Sequence, residues 1–349
     1  MSKIGKVKLD IFIFVVTMDN GRLNKAKDKI KNRKRKNMNK FVLRQSLLLL
    51  IAATIWGTAF VAQSVGMEYV GPFTFTATRN FVGCIVLLPL IFFMDKSEKK
   101  EINESIDKRN KNNKTNKNNK TNKTLILGGI LTGITLCIAS NLQQYGIMYT
   151  SVGKSGFITA MYIVLVPIFG IVIGRKQSLR MWVAILIAVA GLYFLCMTTG
   201  NYTIQIGDVL LLLCAVSFSI QILLVDHFSP LVNGVKLAWM QFFVCGVLSA
   251  VLMFIYEQPT ISGIVSGWSS ILYAGALSTG VAYTIQVIAQ KGMNPAVASL
   301  IMSMESVISV IAGWLILNQK LSRRELIGCG LMFAAIILVQ LPERNKQNS

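Results

Sequence analysis

LLLLIAATIWGTAFVA at residues 47–62 and LLLLCAVSFSIQILLV at residues 210–225 read as two copies of one apolar helix, with Ala53 falling on Ala215 at an offset of 162. A second match sets KSGFITAMYIVLVPIFG, from Lys154, against AVASLIMSMESVISVIA, from Ala296, at an offset of 142. The offsets differ by about the length of a polar insert in the first half. A bilayer's hydrocarbon core of about 30 Å takes about 20 apolar residues of helix, and the chain supplies that length ten times. The expected spans are 46–65, 73–94, 125–147, 155–174, 180–198, 207–225, 237–256, 268–290, 296–317 and 325–341.

Each copy therefore holds five spans, an odd number, and the second must enter the membrane the other way up. The expected fold is an all-α polytopic membrane protein: ten transmembrane helices as two inverted five-helix repeats, residues 45–198 and 207–341. Such a pair has two conformations of comparable energy, open to one side or the other around a site near the midplane.

Composition agrees. Of 349 residues 53% are hydrophobic and 15% charged, against about 25% charged in soluble domains. The net charge of +21 would suit nucleic acid if it lay on a folded face. Instead, residues 1–44 carry +11 and residues 95–124 carry +5, leaving no basic surface for DNA or RNA to dock on. Residues 1–44 read as a basic cytosolic tail, and 342–349 as a second one. Met38 opens a stretch that reads as an ordinary start, so residues 1–37 are either tail or the product of a start codon set too early. Residues 95–124, with KNNKTNKNNKTNKT at 111–124, cannot bury enough apolar area to fold and read as a disordered loop.

Positive charge beside the first span places both termini and the Lys-rich insert in the cytosol of a multi-pass protein of the cell membrane. The Asn-x-Thr triplets at Asn113, Asn119 and Asn122 then lie away from any glycosylating lumen. Lys320, Arg323 and Arg324, between spans nine and ten, conflict with this orientation because they fall outside.

Ile55–Phe60 (IWGTAF) in span one, Thr78-Arg79-Asn80 in span two and Glu305-Ser306-Val307 in span nine resemble the EamA-type transporters of the drug/metabolite transporter superfamily. The likeness runs from about Met38 to Leu341. It implies a ten-helix carrier, often an exporter, of amino acids or other small metabolites. Many members read Glu-Pro-Val where this chain has Glu305-Ser306-Val307, so the helix break that proline brings is not expected here.

Only Arg79 and Glu305 are charged within the expected hydrocarbon, where a charge needs a reason. Arg79 lies about 9 Å deep at about 1.5 Å per residue, and its side chain either snorkels outward or faces the bundle. Glu305, about 13 Å deep, is too short to snorkel. It serves proton coupling or a substrate ammonium, or it bonds a neighbouring helix. Their depths leave a direct ion pair open.

Neutral polar residues recur at helical spacing: Asn141, Gln144 and Tyr145 in span three, Tyr283, Gln286 and Gln290 in span eight, and Ser217 with Gln221 in span six. Each set shares one face, either lining a cavity or bonding helices together. Trp56 and Tyr162 close a pocket or pack. His227 falls beside Asp226 as a solvated pair rather than a catalytic group.

Other functions fit poorly. Gly153-Lys154-Ser155 ends like a phosphate-binding loop, but Met148 stands where its leading glycine belongs. Cys84, Cys137, Cys196, Cys214, Cys245 and Cys329 stand singly in apolar runs as buried thiols, with no zinc spacing. One intramembrane carboxylate and no intramembrane histidine leave an enzyme without a catalytic set. No metal or cofactor is expected, and no oligomer is required. The function expected is secondary active transport of a small polar metabolite, proton-coupled and in the export direction. A lipid flippase is the alternative, and a channel a weaker one.

Overall fold

The computed structural model describes residues 40–104, 111–149, 152–196, 205–317 and 322–341, and these are helical apart from short turns. The tail readings for residues 1–39 and 342–349 lie outside them. The chain divides into two units. Of Met1–Leu47 only the opening turns of a helix are described, and Leu48–Ser349 holds everything discussed below.

Among the described residues, eight helices are long and apolar enough to cross a membrane: Lys40–Gly66, Pro72–Lys96, Thr121–Tyr149, Ser155–Val172, Ile206–Phe228, Gly234–Tyr256, Trp268–Gln290 and Pro295–Ala312. The two remaining expected spans are also helical. One is short, its apolar part running Leu179–Leu195; the other, Arg323–Gln340, opens on Arg323, Arg324 and Glu325. In chain order the helices are α1 (Lys40–Gly66), α2 (Pro72–Glu104), α3 (Lys111–Tyr149), α4 (Val152–Thr159), α5 (Tyr162–Val172), α6 (Leu179–Cys196), α7 (Ile206–Phe228), α8 (Gly234–Tyr256), α9 (Ile261–Ser266), α10 (Trp268–Leu272), α11 (Thr284–Gln290), α12 (Pro295–Met302), α13 (Glu305–Leu317) and α14 (Arg323–Gln340). A π-helical stretch, Tyr273–Tyr283, joins α10 to α11.

The insert departs from expectation. Residues 95–104 continue α2 and residues 111–124 open α3, as helix rather than loop. Both extend an apolar helix already formed, and adding a residue to a nucleated helix costs far less than starting one.

Sequence-local signals set several boundaries. Asn233 caps α8 by accepting from the Val235 and Lys236 amides, and Asn294 caps α12 with Pro295 in its first turn. Ser322 and Glu325 form a capping box on α14, as Gln205 and Asp208 do on α7. The Arg324 guanidinium lies 5.1 Å from the Tyr193 ring and 5.6 Å from the Phe194 ring. Two aromatic faces thus stabilise a charge that the distribution of positive residues disfavours at that end.

With lipid on one side and protein on the other, helices are held by close packing rather than by exclusion from water. α3 packs on α7 and α8, α2 on α8, α5 on α7, and α6 on α14. Glycines set the closest approaches. A Cβ at Gly328 would stand 2.7 Å from the Gly191 carbonyl oxygen and 2.8 Å from the Leu195 nitrogen, while one at Gly207 would stand 2.9 Å from the Gly146 carbonyl oxygen.

The repeat noted in the sequence reappears in element boundaries. α1 ends at Gly66 and α7 at Phe228, and α2 starts at Pro72 and α8 at Gly234, each an offset of 162. α4 and α12 are both eight residues long and begin 143 apart, at Val152 and Pro295. Each is followed by a two-residue break, Ala160–Met161 or Ser303–Met304, and by a helix starting at Tyr162 or Glu305. Several backbone bonds around the breaks recur in both copies: Met161 N to Ile158 O with Met304 N to Ile301 O, and Ile163 N to Ala160 O with Ser306 N to Ser303 O. The register is thus 143 rather than 142, and the break before Glu305 forms without proline.

Overpacking a tight helix contact costs about 1–3 kcal/mol. Gly328→Val is therefore expected to lower the thermal unfolding midpoint in detergent. Gly330→Val, two residues along the same helix where a Cβ meets nothing within 4 Å, is expected to leave it unchanged.

Candidate functional site

Both intramembrane charges line one cavity. From the first half it is lined by Trp56, Phe60, Gln63, Arg79, Gln143, Thr159 and Tyr162. From the second it is lined by Phe218, Gln221, Ile222, Ser278, Tyr283, Gln286, Met302 and Glu305.

The lining pairs up by the offsets found in the fold. At 162, Trp56 corresponds to Phe218 and Phe60 to Ile222; at 143, Gln143 corresponds to Gln286, Thr159 to Met302 and Tyr162 to Glu305. Tyr162 and Glu305, each the first residue after its break, meet directly: the phenol Oη donates to Glu305 Oε1 at 3.1 Å. A helix broken here presents its ends and first side chains to the cavity, where departures from regular backbone can be satisfied.

Arg79 does not snorkel. It is 3% exposed, its guanidinium lies 5.9 Å from the Phe75 ring centroid, and its Nε has no partner. Among the described residues it makes no ion pair, and Glu305 likewise faces no cation. A buried, unpaired guanidinium is costly enough that the site fits an incoming anion.

Opposite it stands a chain of amides. Gln286 Nε2 donates to Gln221 Oε1 at 3.3 Å, and Gln221 Nε2 donates to Gln241 Oε1 at 3.3 Å. Gln286 Oε1 and Gln63 Oε1 are buried without partners and can take hydrogen bonds from a ligand. Trp56 packs edge-on against Tyr283, ring centroids 4.7 Å apart, while its Nε1 donates to the Ser278 carbonyl at 3.3 Å. It both lines the cavity and braces the π-helical stretch.

Seven of the residues singled out from sequence thus meet here: Trp56, Arg79, Tyr162, Gln221, Tyr283, Gln286 and Glu305. Three do not. Asn141 bonds α3 to α8 through Ser249 Oγ at 2.9 Å, and Gln144 bonds α3 to α1 through the Gln63 carbonyl at 3.3 Å. Tyr145 packs edge-on against Phe73 beside a separate, mostly apolar groove. Gln143, one residue from Gln144, is the α3 amide that reaches the cavity. Gln63, Phe218 and Ser278 were missed, although Phe218 was within reach as the counterpart of Trp56.

Elsewhere, Asp226 pairs with Arg175, and His227 lies exposed with its ring against Phe228; they are not a mutual pair. Cys84, Cys137, Cys214 and Cys245 are free and buried, and Cys329 is partly exposed. The side chain of Cys196 lies outside the described residues. Among those residues no three His, Cys, Asp or Glu side chains cluster as metal ligands.

The model of the EamA-like transporter family matches this chain twice, over residues 43–197 and 205–341. An uncharacterized transporter of Archaeoglobus fulgidus is 28% identical over 294 residues, 84% of each chain. The uncharacterized transporter YoaV of Bacillus subtilis is 22% identical over 313 residues, covering 84% of this chain and 95% of its own. A solved crystal structure superimposes with a TM-score of 0.65 at 16% identity over 85% of this chain and 96% of that one, a likeness of fold. Apolar helices of membrane-spanning length, a family match over both halves and relatives described as transporters lead to one statement: this multi-pass membrane protein belongs to the EamA-like transporter family.

Proposed function

We propose that the chain is a secondary active transporter of a small polar metabolite carrying an anionic group, an amino acid or a similar molecule, moved by alternating access. The observation that carries this reading is the buried, unpaired Arg79 facing a cavity it shares with Glu305. The fold we infer is ten transmembrane helices in two five-helix repeats inverted relative to each other. The twofold family match and the backbone bonds that recur at the two helix breaks support it. Five crossings per repeat put the copies in opposite orientations. Lys and Arg flanking α1 and following α5 favour cytosolic termini in the cell membrane. Export is the direction that the family resemblance implies.

In this reading Arg79 holds the substrate's anion in a two-pronged grip, with Gln63, Gln143 and Gln286 completing its polar shell. Glu305 exchanges its Tyr162 hydrogen bond for a substrate ammonium or a proton, which links the load in the cavity to the position of the two breaks.

A comparison of metabolites exported by cells with and without the protein, read by mass spectrometry, identifies the anion. Uptake of that compound into proteoliposomes is expected to saturate and to ignore ATP. Losing charge-assisted hydrogen bonds worth about 1.5–3 kcal/mol, Arg79→Gln should raise the half-saturating concentration roughly 10- to 100-fold, with Arg79→Lys intermediate because it keeps charge without the fork. Undiminished affinity in Arg79→Gln would falsify the anion site. Glu305→Gln is expected to abolish accumulation driven by a pH gradient while leaving assembly and detergent stability intact. Unchanged, gradient-dependent accumulation across pH in that variant removes the coupling role.

A further inference from the structure

The α2–α8 pair is fastened at both ends by groups that correspond through the same offset of 162. At one end, Glu257 closes α8 and grips the start of α2: its Oε1 accepts from the Phe73 amide at 2.8 Å, and its Oε2 from the Thr74 amide at 2.9 Å and the Thr74 hydroxyl at 2.6 Å. At the other end, Asp95 on α2 pairs with Lys236 on α8 at 2.5 Å. Asp95 corresponds to Glu257, and Thr74 to Lys236, each the third residue of its helix.

The fastenings are related but not equal, and a single position accounts for the difference. Asn233 caps α8 from within, accepting from the Val235 and Lys236 amides at 3.0 and 3.3 Å. Those amides correspond to Phe73 and Thr74 on α2, and Asn233 corresponds to Gly71. Glycine supplies no cap, so the α2 amides are left for Glu257. A side chain at Gly71 would displace that carboxylate from its present place, since a Cβ there would stand 2.4–2.6 Å from its atoms.

The two ends also differ in strength. Glu257 makes three hydrogen bonds at a helix N-terminus, where backbone N–H groups and the helix dipole favour an anion. The Asp95–Lys236 pair keeps 42% and 29% of its side-chain surface exposed, where solvent screens the attraction.

We propose that these are paired gate latches and that Glu257, admitted by Gly71, acts as a positioning residue that holds the outer face closed. Asp95–Lys236 is the weaker latch on the inner face, so the unloaded carrier rests open to the cytosol and reaches the outward-open state only when Glu257 lets go of α2. This rests on the inverted, alternating-access reading above. It makes no use of the substrate's identity.

The test uses Ser278→Cys, in the cavity lining, as a reporter. A membrane-impermeant maleimide is applied to whole cells and to inverted vesicles, with the reporter-free protein as blank. Gly71→Asn is the decisive variant because it copies the α8 arrangement, capping α2 locally while evicting Glu257. It and Glu257→Gln are each expected to raise labelling from outside by about tenfold, as follows from losing about 1.4 kcal/mol of differential stabilisation, and to lower labelling from inside. Glu257→Asp is expected to restore most of the closed state, and Asp95→Asn to favour inside labelling by a smaller factor. Gly71→Asn should retain the detergent melting temperature of the parent. Outside labelling that stays at the parent level in both Gly71→Asn and Glu257→Gln overturns the latch. A rise confined to inverted vesicles keeps the latch and overturns the assigned orientation. Intact labelling shifts without flux of any metabolite count against the transport reading alone.

Discussion

A backbone N–H or C=O without a partner in hydrocarbon costs several kcal/mol, and the centre of this molecule is organised around that constraint. Two helices depart from regularity before Tyr162 and Glu305, and both departures face the cavity rather than lipid. Most of the turn bonds that repair them recur in both copies. Because the breaks bring Tyr162 and Glu305 together, the only carboxylate among the cavity-lining residues stands where the two copies touch. In the transport cycle proposed above, a change in what Glu305 binds would act on both breaks at once.

The cavity is matched in shape and unmatched in charge. Aromatic and aliphatic side chains recur in corresponding places, Trp56 with Phe218 and Phe60 with Ile222. In the alternating-access reading, such pairing lets either face close over similar walls. The charges break it: Arg79 corresponds to Gln241, a neutral amide bonded to Gln221, and Glu305 to the phenol of Tyr162. In that reading duplication supplies a frame that can tilt two ways, and substitutions on one side of each pair would give the ligand a direction in which to lie.

Hydropathy made the membrane helices legible, because length and apolar content are properties of a segment by itself. The internal repeat was legible to within one residue for the same reason. Depth along a helix proved a weaker guide to the charges. Counting residues put Arg79 about 9 Å deep and could not say which way its side chain turns; the structure turns it inward. The face shared by Asn141 and Gln144 is buried, yet periodicity does not say whether a buried amide meets a cavity or another helix. Gln143, pointing elsewhere by one residue's rotation, is the one that lines the site. The missing proline beside Glu305 misled in a different way. Proline is sufficient to interrupt a helix, whereas the paired turn at Ser303–Met304 shows that it is not necessary.

The asymmetry between Gly71 and Asn233 is invisible to hydropathy and to any motif, since each is an ordinary residue before a helix. Its meaning depends on what lies opposite. An asparagine cap satisfies its own helix and leaves a facing carboxylate to find a cation, as Asp95 finds Lys236. A glycine leaves the amides open, and the facing Glu257 becomes the cap. One side chain, present or absent, thus decides whether a helix end is closed by its own strand of chain or by the opposite half of the protein. In a carrier built from two copies, that is the difference between an end free to swing and an end that must first be released.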